Sequence, residues 1–366
     1  MMLLNHPNDS SISTQIFRGI LNPSVAQIFA RHPVYDNIFC RLPSASFARM
    51  SRVCRDVREA TMDFASRAYN IDRRLRRYFS DPLAFRALMS RTGLIISGSF
   101  ALQFFDRSFY PESDLDLYVW SGKSVPEVGR WLEMEGYTYK PSPHQRTTVD
   151  AQVKALDQED EWDGYDGGLA IHALFTFERR VQDALGNKDT RKIQVIVPSC
   201  LHNSPLQTIL NFHSTCVMNV ITHDAAYSLY PYATFELNTS LVLTRDLEER
   251  TQRALHKYED RGFRLVDPSP TDDEDDEDED DEDDEDDETE AASSSDPDLA
   301  GFFVDGTWRR VADRHSWRIP LNVDGLPPAT QWGSVEDEKK RLLRIRWWIL
   351  PDYGTYRVAY GGGSRI

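Results

Sequence analysis

Apolar positions in residues 33–91 recur at the helical period. Val34, Ile38 and Leu42 form one i, i+4, i+8 stripe, and Phe47, Met50, Cys54, Val57, Ala60 and Phe64 form a longer one. Arg49, Arg52 and Arg55 fall mostly off that longer stripe, the separation of faces expected of surface helices. Ile71, Leu75, Tyr78 and Phe79 make a third stripe. Asp81-Pro82 supplies an N-cap and a first-turn proline for a fourth helix, which ends near Thr92-Gly93.

At Gly93 the pattern changes. Leu94-Ile95-Ile96 has the apolar character of a buried strand, and Gly98-Ser99 opens an apolar helical stretch from Phe100 to Phe105. Asp114-Leu115-Asp116-Leu117-Tyr118-Val119 alternates acid and apolar side chains, which predicts a two-faced strand. Val125 to Glu135 reads as a helix ended by Gly136. Ala170 to Phe177 and Ile193 to Val197 read as strands, each preceded by a polar loop (157–168 and 186–191). Pro205 to Phe212 predicts a short helix, Thr215 to Thr222 a strand, and Ala225 to Phe235 an aromatic helix and turn. Leu247, Thr251, Ala254 and Tyr258 place one apolar stripe on a charged helix. In the Trp-rich end of the chain, Arg344–Leu350 and Thr355–Tyr360 flank Pro351-Asp352-Tyr353-Gly354 and read as a β-hairpin. A helical head followed by interleaved strands and helices is an α+β chain.

Charge divides the chain further. The formal charge of −17 over 366 residues comes from an unbroken acidic run, Asp272 to Glu288; outside it 42 acids face 42 Lys and Arg. Such a run repels itself and buries nothing, so it predicts a disordered linker over 267–298. The first 91 residues hold 14 Arg, no Lys and seven acids. The segments expected are a loose leader (1–32), a helical head (33–91), a sheet-bearing core (92–266), the linker, and a β-rich tail (299–366). No apolar run approaches the roughly 20 residues of a membrane span. The four cysteines, Cys40, Cys54, Cys200 and Cys216, form no CxxC pair. They read as thiols of a reduced compartment, cytoplasmic or nuclear.

The candidate chemistry lies in the core. Gly98 permits a tight turn after a strand, and Ser99 then stands at a helix N-terminus, where free N–H groups hold phosphate oxygens. Asp114 and Asp116, two apart on one strand, point to one face and have the oxygen chemistry Mg²⁺ prefers. At these residues the chain resembles the nucleotidyltransferase fold of the DNA polymerase beta superfamily: L94-I-I-S-G98-S99, then D114-L-D116-L-Y-V, with 14 residues between Ser99 and Asp114. The resemblance implies a mixed-sheet core over 92–266, Mg²⁺ held by Asp114 and Asp116, and a nucleoside triphosphate bound at Gly98 and Ser99. It also implies a third catalytic carboxylate on a later strand, where this chain has Gln194. Gln takes no proton, so a base worth 10²–10⁴-fold is missing unless Asp150, Asp183 or Asp189 replaces it, and the expectation is binding with weak or absent transfer. The plainer alternative is a surface strand whose aspartates face water.

Pro33-Val-Tyr-Asp-Asn-Ile-Phe-Cys-Arg-Leu-Pro43 followed by Met50-Ser-Arg-Val-Cys-Arg-Asp-Val57 resembles an F-box, with His32-Pro33 at the usual leading Leu-Pro. That resemblance implies docking to a Skp-type adaptor of a ubiquitin ligase through Pro33, Ile38 and Leu42. The alternative is a helical cap on the sheet. Lys123 reads as a solvated loop lysine rather than a phosphate ligand. His213 reads as a satisfied core or strand-edge histidine, and Arg73, Arg74, Arg76 and Arg77 as an exposed helix face rather than a nucleic-acid site.

Overall fold

The helical period of the head becomes α1 (His32–Phe39), α2 (Ser44–Met50), α3 (Arg55–Ala68), α4 (Ile71–Leu75) and α5 (Pro82–Thr92). The computed structural model describes residues 27–156, 171–182, 188–199, 204–243, 249–266, 308–327, 344–352 and 355–361, with the single positions 158, 186 and 342. Most of the leader, Asp183, Cys200, Leu247, Tyr353-Gly354 and the acidic run lie outside the described residues.

Helix α5 forms as its ends dictate. The Asp81 carboxylate accepts from the Ala84 N–H at 3.0 Å, Pro82 occupies the first turn, and Gly93 closes the helix at φ 69°. Two expectations for the head are corrected. The long stripe is split between α2 and α3 by the turn at 51–54, yet Phe47, Val57, Ala60 and Phe64 are all buried in one core. In α1 the buried pair is Tyr35 and Phe39; Ile38, and Leu42 beyond the helix, pack only partly against the core, and Val34 is exposed. The aromatic rings decide this, because Phe39 meets Phe47 at 5.5 Å and Phe64 at 5.6 Å. These rings bury more area than the aliphatic stripe offers.

The core is built on an eight-stranded mixed sheet in the order β11-β7-β6-β1-β2-β5-β4-β3. Its strands are β1 (Ile95–Ser97), β2 (Leu115–Tyr118), β3 (Thr138–Tyr139), β4 (Ile171–Gln182), β5 (Lys188–Pro198), β6 (Asn219–Ile221), β7 (Ala225–Ser228) and β11 (Trp317–Pro320). Only β2 and β5 run parallel; the other pairings of this sheet are antiparallel. Around the sheet lie α6 (Gly98–Asp106), α7 (Val125–Met134), α8 (Val149–Leu156), α9 (Pro205–Leu210), α10 (Pro231–Phe235) and α11 (Glu249–Glu259). Strands β8 (Thr239–Leu241) and β9 (Arg264–Val266) pair beside it, and β10 (Arg309–Arg310), β12 (Arg346–Asp352) and β13 (Thr355–Gly361) form a further sheet.

Four segments differ from expectation. Strand β5 begins at Lys188, within the stretch 186–191 expected as a loop, because it pairs with β4 as far as Gln182. Residues 215–217 are a 3-10 turn and only Asn219–Ile221 is strand, while Ala225–Ser228 is strand ahead of the short α10. Strand β11 of the tail is an edge of the main sheet. Trp317 brings it there, meeting Tyr69 at 5.6 Å and Phe105 at 5.2 Å in the core shared with the head. On the opposite face Trp347 is wholly buried and donates from Nε1 to the Tyr230 hydroxyl at 3.1 Å.

A single buried guanidinium ties these parts together. Arg86 of α5 is 1 % exposed. It bonds both carboxylate oxygens of Asp72 at 3.1 Å, the carbonyl of His223 at 2.7 Å, and the carbonyl of Asn322 at 2.5 Å. Arg107, at φ 60°, adds a second tie by donating to the carbonyls of Phe39 and Leu42 in the head. Arg86→Met leaves the half-buried Asp72 carboxylate and two backbone carbonyls without their donor. We expect a loss of about 3–5 kcal/mol in urea unfolding.

Candidate functional site

The register of the sheet assembles the candidate residues. Ser97 pairs with Asp116 across β1 and β2, and Asp116 pairs with Gln194 across β2 and β5. The antiparallel β4 continues the rows, with Thr176 opposite Gln194 and Glu178 opposite Lys192. Directly paired side chains share a face, so Asp116, Gln194 and Thr176 form one row. Asp114, Lys192 and Glu178 form the next. Lys192 Nζ donates to Asp114 Oδ2 at 2.9 Å. The Gln194 amide satisfies both neighbours when its nitrogen donates to Asp116 Oδ1 at 3.1 Å and its oxygen accepts from Lys192 Nζ at 3.3 Å.

Gly98 closes on this row. Its φ is +67°, and a β-carbon there would overlap Asp116 Oδ2. Only a residue without a side chain lets the start of α6 approach the carboxylate so closely. Ser99 follows but is buried, and its hydroxyl donates to Ser113 Oγ at 3.2 Å. Gln103 holds the same serine from Nε2 at 3.0 Å and accepts from the Tyr110 N–H at 2.6 Å. The Ser99 hydroxyl therefore anchors the loop that delivers Asp114.

Helix α11 brings cationic groups over the aspartates. Lys257 lies close enough to Asp116 and Asp114 for the carboxylates to favour its charge, while burial and Arg261 depress its pKa. Asp116 keeps a solvent-facing edge but sits under enough protein that burial, then the Asp114 charge, pushes its carboxyl up to about 7 against the pull of Lys257 and Lys192. Beside Lys257, the Tyr258 ring lies 5.6 Å from His213. Burial first, and Lys257 second, hold the His213 imidazole down at about 4, so it is neutral at pH 7. Its Nδ1 is buried with no hydrogen-bond partner, so the expectation of a satisfied histidine is corrected. Lys257 also lines a hollow of about 490 Å³, together with Tyr110, Glu112, Arg253, His256, Asp260 and Arg261.

The donors do not fit the pair of metal ions that the resemblance implies. Asp114 already holds the Lys192 ammonium, and Gln194 adds only an amide. Among the described residues no group of three His, Cys, Asp or Glu is placed to hold a metal. Asp150 stands exposed in the first turn of α8, and Asp189 pairs with Arg191 five residues before Gln194. Neither joins the aspartate rows. Lys123 is exposed past the far end of β2. The arginine run is corrected: Arg73 and Arg76 are exposed, but Arg74 bonds the Ser108 carbonyl and Arg77 lies 4.8 Å from the Phe109 ring. In the head Pro33 is exposed, while Ile38 and Leu42 pack on the protein's own core.

Sequence reasoning missed Lys192. The alternation that aims Gln194 at Asp116 also aims Lys192 at Asp114, so the signal was present. Lys257 carried none, since its approach depends on where α11 docks. Among the described residues no helix is long and apolar enough to cross a membrane. No protein-family model matches the chain, nor does any curated protein or solved structure.

Two variants probe this geometry. Gly98→Ala combines a left-handed backbone with an overlap at Asp116 and is expected to cost at least about 2 kcal/mol in denaturant unfolding. Asp116 binds its proton more tightly folded than unfolded, so its stabilising effect is complete below about pH 4 and is lost as pH rises toward 7. Asp116→Asn keeps the acceptor for Gln194 without that loss. Unfolding curves from pH 4 to 8 should show a gap favouring the variant that opens across this window and reaches the order of 2–4 kcal/mol.

Proposed function

We propose that this chain is a nucleotidyltransferase-like protein that binds a nucleoside triphosphate and transfers nucleotide weakly or not at all. The observation that carries the reading is the single row Ser97–Asp116–Gln194 with Gly98 against Asp116. It follows the resembled order of strand, glycine turn, helix, aspartate strand and later strand. The same row argues against transfer. An acceptor hydroxyl needs a base, and Gln194 offers an amide that aligns without accepting a proton. Lys192 and Lys257 bring positive charge where the resemblance implies metal ions, and ammonium groups neutralise phosphate oxygens as point charges. Mg²⁺ carried in on a triphosphate competes with Lys192 for Asp114.

The test is calorimetric titration of the full chain with ATP and GTP, each with Mg²⁺ and with EDTA. Binding that survives EDTA and weakens about tenfold or more in Lys192→Met supports the reading. Incubation with labelled nucleotides and RNA, protein and small-molecule acceptors completes it. Strong labelling that disappears in Asp114→Asn establishes an active enzyme and overturns the degenerate reading. No binding at millimolar nucleotide overturns the nucleotide reading altogether.

A second reading, an F-box-like receptor for a Skp-type adaptor, is favoured by apolar exposure on the head: Pro33, Val34 at 39 % and Val53 at 56 %. Copurification with such an adaptor that is lost in Val53→Glu supports it, and its absence leaves the head as a helical cap.

A further inference from the structure

On the opposite face of β4 and β5 from Lys192, Arg179 and Arg191 are direct cross-strand partners. Like charges directly opposite each other destabilise a sheet. These two extend the row of Phe177 and Ile193, so they cap the solvent end of the head-side core. Arg77 joins them through Tyr78. Arg179 Nη2 donates to the Tyr78 carbonyl at 2.7 Å, and Arg77 lies 5.8 Å from the Tyr78 ring. Beneath Arg179, at 4.7 Å, is the Tyr137 ring, whose hydroxyl donates to the same Tyr78 carbonyl at 2.9 Å.

The cluster is short of negative charge. Asp189 pairs with Arg191. The nearby Glu135 carboxylate is engaged by the N–H and hydroxyl of Ser80, and Arg179 takes only the Glu135 carbonyl, at 2.7 Å. The Ser80 bonds leave the Glu135 charge in place, so three guanidiniums face two carboxylates, Asp189 and Glu135. Each also retains a buried Nε with no hydrogen-bond partner, although buried donors are almost always satisfied. Burial, followed by the charges of Arg77 and Arg179, lowers the pKa of Arg191, as expected where cations are gathered without enough anions.

We infer that Arg77, Arg179 and Arg191 form a binding site for a phosphate group. The uncompensated positive charge attracts a phosphate oxyanion, and planar guanidinium forks suit phosphate oxygens better than a single carboxylate does. The aromatic floor of Tyr78 and Tyr137 holds the forks in place. The site adjoins the aspartate face without belonging to it: the Tyr78 hydroxyl donates at 2.8 Å to the carbonyl of Ser113, the residue before Asp114. A phosphate here stands on the opposite face of the sheet from Asp114. Because the site lies on the other face and its probe is inorganic phosphate, it stands or falls independently of the nucleotide reading.

The experiment measures thermal unfolding of the full chain in inorganic phosphate against chloride of equal ionic strength. Phosphate at about ten times its Kd adds about 1.4 kcal/mol, a rise of about 2–5 °C for a protein of this size. Arg191→Gln should abolish this rise yet melt no lower than wild type without phosphate, since it relieves repulsion. Arg191→Lys keeps the charge but loses the fork, and should bind phosphate about tenfold more weakly. A ten-nucleotide single strand identifies the source of the phosphate. Affinity about 100-fold above inorganic phosphate, lost in Arg191→Gln, assigns a nucleic-acid backbone; equal affinity assigns a small phosphate compound. The inference is overturned if wild type gains nothing over chloride, if both variants respond as wild type does, or if Arg191→Gln is destabilised without phosphate.

Discussion

A guanidinium taken wholly out of water is tolerable only if every side of it is answered, and Arg86 meets that condition with groups from three distant parts of the chain. Asp72 belongs to the helical head, His223 to the turn between β6 and β7, and Asn322 to the segment after β11. Displacing any of these elements leaves a buried charge incompletely solvated, a penalty of several kcal/mol. The head, sheet and tail are therefore bound to one arrangement. The aromatic seam of Tyr69, Phe105 and Trp317 provides the non-directional attraction between the same parts, and Arg86 provides the direction.

That arrangement places α6 and β2 so that a glycine turn touches a carboxylate. The contact has electrostatic consequences, because burying Asp116 beside Asp114 concentrates negative charge where water is scarce. The protein answers with lysines: Lys192 from the neighbouring strand and Lys257 from α11. A metal-using site leaves such carboxylates available to the ion, whereas here an ammonium already occupies one of them. The carboxylate charge is thus largely answered within the chain, by Lys192 directly and by Lys257 at longer range. The two faces of β5 contrast in this respect. Lys192 lies between carboxylates on one side, while on the other Arg191 faces two further arginines with fewer acids than arginines among them.

Local chemistry made much of this legible in advance. The Asp81 cap, Pro82 and Gly93 bound α5 because capping is decided within a few residues. The alternation in Asp114–Val119 and Ile193–Val197 assigned strands and their polar faces, since the side-chain period of a strand is a backbone property. The pairing of β12 and β13 was equally readable from the turn signal Pro351-Asp352-Tyr353-Gly354 in the sequence. Those same rules aimed Asp114 and Asp116 to one side and put Gln194 on the matching strand face.

Contacts between distant segments resolved the rest. Whether α1 turns Tyr35 and Phe39 inward or its aliphatic stripe depended on the rings of Phe47 and Phe64 waiting in other helices. Trp317 joined the main sheet because the head and sheet leave an aromatic pocket that no local pattern reveals. The hydroxyl of Ser99, suited by type and position to hold a phosphate, was claimed by Ser113 and Gln103. The pairing of Arg179 with Arg191, and the descent of Lys257 over the aspartates, depend on strand register and helix docking. A sequence specifies backbone period, caps and turns through neighbours a few residues apart. Charge balance and burial depend on groups tens to hundreds of residues away, so they take definite values only when the chain has folded.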